Sequence, residues 1–205
     1  MLLQPRRIET DAGTVETLGD ATLLSQRKLG LICSRRCPGD PMLKTYDFAR
    51  LARVSGVPIV SGFHSPVEKD CLPILLRGRN PIIIVQAHGL SSSRLRIEWR
   101  KAIETGRLLL LSPFSAKQKR ITSKLAIVRN EFVAALCSEV LIPFAAPNSE
   151  SEALGVALLK SGTRVYTFSD HPGPLLDSGA LVVGPDFLTR PGGDHDYVRD
   201  TKAPC

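Results

Sequence analysis

Six short apolar runs pace the chain: LGLICS (29–34), VPIVS (57–61), PIIIVQ (81–86), RLLLLS (107–112), EVLIPF (139–144) and RVYTF (164–168). Within most of them the apolar residues are continuous rather than alternating with polar ones. A strand that is apolar on both faces is covered on both faces, as in a parallel sheet. The segments between the runs have helical length and helix punctuation. Asp40-Pro41 sets a cap before a proline suited to a first turn, and Gly56 follows as a stop. Ser65-Pro66-Val67-Glu68 has the form of a capping box. Ser92 or Ser93 starts the next helix and Gly106 stops it, while Ser149 with Glu152 opens another that ends at Gly162. Pro73 is the exception and is expected to kink its helix or end it early.

Strand and helix therefore alternate as far as residue 168, and GPLLDSGALVV adds a last helical turn and strand. The pattern predicts an α/β fold with a doubly wound, mostly parallel sheet: a Rossmann-like three-layer domain over residues 26–184. Residues 1–25 mix Arg6, Arg7, Glu9, Asp11, Glu16 and Asp20 and read as a polar arm. From Pro185 the chain is rich in Gly, Pro and Asp and reads as a mobile tail, 185–205.

Composition narrows this picture only a little. The 205 residues are 43% hydrophobic, enough for one core, and the net charge of +7 suits a polyanionic partner. Five cysteines are an odd number without metal-ligand spacing, so reduced thiols in a cytoplasmic protein are expected, with no metal and no cofactor. The opening MLLQPRRIET holds no apolar stretch of secretory-signal length, and no run nears the ~20 residues that span a bilayer.

In doubly wound sheets, ligands sit beyond the carboxyl ends of the strands. The residues that follow the runs are Ser34, Arg35 and Arg36; Ser61, Gly62, Phe63 and His64; Gln86, His88 and Gly89; Ser112 and then AKQKRITSK; and Asn148, Ser149 and Ser151. They are small, hydroxyl-bearing or basic, with almost no carboxylate before each helix begins. Hydroxyls donate hydrogen bonds, glycine lets backbone approach, and arginine forks onto phosphate oxygens. The rim is expected to hold phosphates, although Ser65 and Ser149 double as helix caps, and Lys117, Lys119, Arg120 and Lys124 equally suit a solvated face. No G-x-G-x-x-G follows a strand, no Walker loop or G-x-S-x-G elbow is present, and no paired carboxylates stand in a loop with an obvious acid/base partner.

The order of these motifs resembles the core of the DNA-processing protein A family (DprA/Smf) from about Lys28 to Val183. The family's Gly-Ser-Arg is matched by Cys33-Ser34-Arg35, and its Val-Ser-Gly by Val60-Ser61-Gly62. LLLLSPF stands for its LLLSE(F/Y), Arg129-Asn130-Glu131 for its Arg-Asn-Arg, and Ser149-Glu150-Ser151 for its Ser-Gly-Ser. GTRVYTF and LLDSGALVV fit its last strands. The resemblance implies a non-enzymatic protein that binds single-stranded DNA, helps load a RecA-type recombinase during natural transformation, and forms a homodimer. It places phosphate contacts at Ser34, Arg35, Ser61, Gly62, Arg129, Asn130, Ser149 and Ser151, and lays Lys117, Lys119, Arg120 and Lys124 along the DNA groove. Arg36 joins them on charge and position.

Three substitutions depart from the family. Cys33 replaces a glycine, Glu131 an arginine and Glu150 a glycine. Ala126-Ile127 stands where relatives often carry Phe-Pro, removing a base-stacking aromatic for which Phe63 or Phe114 would have to substitute. A second expectation stays open beside the first. A domain similar to the lysine-decarboxylase-like (LOG) enzymes would bind a free nucleotide and hydrolyse an N-glycosidic bond, with Glu68 or Asp70 as the carboxylate. The Pro-Gly-Gly-x-Gly-Thr-x-x-Glu loop of that group is absent. A remnant of the fold that serves protein interaction is the third possibility.

Overall fold

The computed structural model describes residues 4–90 and 95–189. Its strands are β1 (Arg6–Thr10), β2 (Gly13–Gly19), β3 (Leu29–Leu31), β4 (Ile59–Ser61), β5 (Ile82–Val85), β6 (Leu108–Ser112), β7 (Glu139–Leu141), β8 (Arg164–Thr167) and β9 (Leu181–Val182). Its α-helices are α1 (Gly39–Ala52), α2 (Pro66–Leu76), α3 (Ile97–Glu104), α4 (Ser123–Ala135), α5 (Glu150–Lys160) and α6 (Pro174–Asp177). One sheet runs in the order β1-β2-β6-β5-β4-β3-β7-β8-β9. From β6 to β9 every pairing is parallel, and β1 and β2 are antiparallel additions. The expected α/β, Rossmann-like three-layer fold is what forms.

The continuous apolar runs are explained by two cores. Ile82, Ile84, Leu108 and Leu110 face the layer of α1, α2 and α3, where they meet Phe48, Cys71, Leu75 and Ile103. Their neighbours Ile83, Val85, Leu109 and Leu111 face the opposite layer, against Phe132 and Val133 of α4. Successive strand residues point to opposite faces, so a strand with helices on both sides needs apolar residues at every position.

Local punctuation departs from expectation at several points. α1 starts at Gly39 behind Pro38, without a side-chain cap; Asp40 lies in its first turn and pairs with Lys44 at 2.7 Å. α2 continues through Pro73 to Leu76. A proline in the last turn forfeits a single helical hydrogen bond, and buried Cys71, Leu72 and Leu75 hold that turn against the core. α3 begins after Arg96, not at Ser92 or Ser93, which lie outside the described residues. The Ser65 capping box forms as expected. Ser149 caps α5, but the Glu152 carboxylate accepts the N–H of Asn148, at 2.8 Å, rather than that of Ser149.

Residues 6–19, expected within a polar arm, form a hairpin whose second strand extends the sheet along β6. Only Val15, Thr17 and Leu18 of β2 are buried, too sparse a signal to stand out as an apolar run. The start of the expected tail is also held in place. The Phe187 ring lies 5.6 Å from Phe48 and 4.9 Å from Tyr166. The remainder of that tail, 190–205, lies outside the described residues. No described helix is long and apolar enough to cross a membrane.

Candidate nucleic-acid interface

β3 stands in the middle of the parallel sheet. The chain steps outward through β4, β5 and β6, then returns to pair β7 on the other side of β3. The loops that follow these strands therefore share one edge, and the winding reverses between β3 and β7.

That reversal point is occupied by the protein's own hydroxyls. The Ser34 Oγ accepts the N–H of Ala146 at 2.8 Å and hydrogen-bonds to Ser149 at 3.2 Å and to Ser151. Ser149 and Ser151 join each other at 3.0 Å, and Ser34 and Ser151 are buried. The three serines come together as expected, but their hydroxyls are engaged with one another. The adjoining hollow, of about 410 Å³, is lined by Asn148, Ser149, Glu150 and Glu152 among others, so its charge is negative.

One strand away, between β3 and β4, the arrangement differs. The Glu68 carboxylate is 3% exposed and gathers three backbone N–H groups: Cys33 at 2.9 Å, His64 at 2.9 Å and Ser65 at 3.4 Å. Ser65 Oγ accepts the N–H of Glu68 in return. One side chain thus joins the end of β3 to the start of α2. Both of its oxygens are occupied, which leaves Glu68 poorly suited to the acid–base role that a nucleotide-cleaving site would ask of it. Asp70, the other candidate carboxylate, accepts the Tyr46 hydroxyl at 2.7 Å. Burial first, and then that Asp70 bond, push the Tyr46 phenol up to about 12.

Around this joint opens a cleft of about 530 Å³, lined by Arg35, Arg36, His64, Pro66 and Lys69. Its arginines come from the turn after β3, and Lys69 from the first turn of α2. Among the described residues, no hydrogen bond or ion pair engages the side chains of Arg35, Arg36 and Lys69; Arg27, Lys44, Arg50 and Arg164 are all paired with carboxylates. Ser61, expected to touch phosphate, is fully buried instead, and its Oγ accepts the N–H of Phe63 at 3.0 Å. Phe63 takes a left-handed φ of 46°, a conformation non-glycine residues seldom adopt. It is buried, so its ring is not offered to a base.

Arg129 lies behind the cleft. It is 4% exposed, its Nε donates to Asn130 Oδ1 at 2.9 Å, and it forms no ion pair among the described residues. Its guanidinium occupies the space over Gly62 where any other residue would carry a Cβ. Burial pulls this guanidinium below its usual range, and the nearby Glu68 carboxylate pushes back. His64 sits among these charges. Burial, then Arg129 and Lys69, hold its imidazole below the ordinary value; Glu68 opposes them and Arg35 adds to them.

Lys117, Lys119 and Arg120 are exposed on the loop after β6, and Lys124 on the first turn of α4. The loop is anchored. The Gly89 N–H donates to Gln118 O at 2.8 Å, and Ser112 Oγ donates to His88 O at 2.8 Å. A side chain at Gly89 would run into the backbone of Ser115 and Ala116. The basic loop thereby shares the edge with the cleft, two to three strands away, or about 10–14 Å at the usual spacing. The four described cysteines are free thiols, and a hydrogen bond to Cys37, with burial, drives the Cys33 thiol far up.

His64, already placed on the rim by sequence, lines the cleft, and Lys69, which the sequence reading did not select, completes it. The available signal was spacing: Lys69 follows the Ser65 cap by four residues, so it projects from the same side of the helix start.

Strand order and edge chemistry together define a Rossmann-like α/β domain with a cationic cleft at its carboxyl edge. The family model of DNA recombination-mediator protein A matches residues 6–176. The chain belongs to that family of DNA-processing proteins. The structure is similar to DNA processing protein A from Streptococcus pneumoniae, with a TM-score of 0.68 and 18% identity over 89% of this chain and 71% of that one. It is similar to DNA processing protein A from Helicobacter pylori, described for its single-stranded DNA binding mode, with a TM-score of 0.68 and 22% identity over 88% and 91%. A molybdenum cofactor binding protein from Rippkaea orientalis shares the fold more distantly, with a TM-score of 0.55 and 9% identity over 78% and 92%. No curated protein matches the chain.

Proposed function

We propose that this protein binds single-stranded DNA along the carboxyl edge of its sheet, acting as a binding protein rather than an enzyme. The observation that carries the reading is the convergence of Arg35, Arg36 and Lys69, none of them bonded to a partner among the described residues, on one cleft. The exposed Lys117, Lys119, Arg120 and Lys124 continue the positive charge along the same edge. Family membership and the strand binding described for the Helicobacter pylori protein favour DNA over a free nucleotide. A RecA-type recombinase as onward partner and a homodimer as the working unit belong to the same reading, on family resemblance.

The test is fluorescence anisotropy with a labelled oligo-dT at several salt concentrations. For single strands, log K falls with log salt by about 0.7 per phosphate neutralised. Each arginine–phosphate hydrogen bond contributes about 1.5 kcal/mol or more. Arg35→Ala with Arg36→Ala is therefore expected to weaken binding about 100-fold and to flatten the salt slope by about 1.4. Unchanged affinity in that variant, or no binding by the wild type at low salt, rejects the reading.

Affinity for oligo-dT is also expected to rise as pH falls from about 7.5 to about 5.5. In the free protein, burial with Arg129 of α4, Lys69 of α2 and Arg35 of the β3–α1 turn keeps His64 neutral at pH 7; Glu68 is the one opposing charge. A bound phosphate reverses the local sign and raises the imidazole value. The complex then holds more protons than the free protein, so binding tightens through the complex's value and levels off below that of the free protein. A His64→Ala variant should give a flat profile over this range; a profile identical to wild type refutes the assignment.

A further inference from the structure

We propose that the cleft of Arg35, Arg36, His64 and Lys69 selects a phosphate monoester, the terminal phosphate of a nucleic-acid strand, over the internal phosphodiesters of that strand. This rests on the strand-binding reading above.

Charge is the first argument. Three permanent cations line one hollow of about 530 Å³, and none of its lining residues carries a carboxylate. An internal phosphodiester brings one negative charge, whereas a terminal phosphate brings about 1.5 to 2 at pH 7. The monoester relieves more of the mutual repulsion among the cations. It also presents three terminal oxygens where a diester presents two, matching donors that arrive from the β3–α1 turn and from α2. The hollow falls within the roughly 300–1,000 Å³ of discrete small-ligand sites.

Position is the second argument. Along the edge the order is basic loop after β6, then β5, then the cleft at β4 and β3, then β7. Beyond the cleft lie the mutually bonded serines and the hollow lined by Glu150 and Glu152. A strand running from Lys117, Lys119 and Arg120 reaches the cleft as its last positive station among the described residues, and continuing past it means facing Glu150 and Glu152. The favourable path ends where a strand's own end would lie. Capture falls to the side chains: Pro66 has no N–H, and Ser65 and Glu68 already engage the N–H groups of Glu68, Ser65 and His64.

The experiment compares three oligo-dT strands of equal length, labelled at an internal base, at constant salt: one without terminal phosphate, one 5′-phosphorylated and one 3′-phosphorylated. Free thymidine monophosphate serves as competitor. One phosphorylated form is expected to bind about tenfold tighter than the unphosphorylated strand, that factor being one added charge-assisted contact. Lys69→Ala, an exposed substitution, should abolish the advantage while costing the unphosphorylated strand less. Displacement by the monophosphate identifies the monoester itself as sufficient. Equal affinity for all three strands overturns the inference while strand binding stands. Monophosphate binding without binding of any strand supports the monoester cleft and rejects the strand reading. Failure of every probe to bind rejects both.

Discussion

Glu68→Ala is expected to lower the unfolding free energy by about 3–5 kcal/mol, among the largest effects of any single substitution here. The carboxylate accepts backbone N–H groups from Cys33, His64 and Ser65, in an almost fully buried position. Hydrogen bonds to a charged group contribute about 1.5–3 kcal/mol each, and buried donors left without an acceptor add a desolvation cost. Removal also takes away the negative charge that offsets buried Arg129. Chemical denaturation checks the value. A loss under about 1 kcal/mol would mean that the joint between β3 and α2 is held by packing alone. Glu68→Gln should fall between the two, because an amide keeps one acceptor oxygen but turns an NH2 group toward backbone donors.

The second large effect is expected from one added methyl group. Gly62→Ala puts a Cβ where the Arg129 guanidinium lies, and buried Arg129 has little room to retreat. Overpacking of this kind costs about 1–3 kcal/mol. Strand affinity should fall with it, because Arg129 leaves its place behind the cleft. A double-mutant cycle provides the sharper measurement. In an Arg129→Ala background the methyl group fits the vacated space, so Gly62→Ala should cost almost nothing there, a coupling of about 1–3 kcal/mol. Strict additivity of the two substitutions would refute the close approach.

The parallel core was legible because its signal is local and redundant. RLLLLS and PIIIVQ admit few readings once two-sided burial is considered, and Ser65 to Glu68 spells its capping box within four residues. The hairpin of β1 and β2 was not legible. Val15, Thr17 and Leu18 are buried only because β6 offers them an edge, and nothing within residues 13–19 shows that edge. Phe187 likewise owes its place to Phe48 and Tyr166, which are remote in sequence.

The candidate site divides along the same line. The residues at the strand ends, and their lean toward basic and hydroxyl groups, follow from sequence alone, because strand direction is set once the apolar runs alternate with helices. Whether a side chain at that edge is free depends on its neighbours. Ser34, Ser149 and Ser151 satisfy one another, Ser61 turns inward to hold Phe63, and Arg129 settles over Gly62. Arg35, Arg36 and Lys69 line the cleft without partners among the described residues. Sequence by itself thus determined the layers, the edge and the family. Only the tertiary structure decided which groups on that edge remain unsatisfied, because hydrogen bonds and charge pairs form between residues that folding alone brings together.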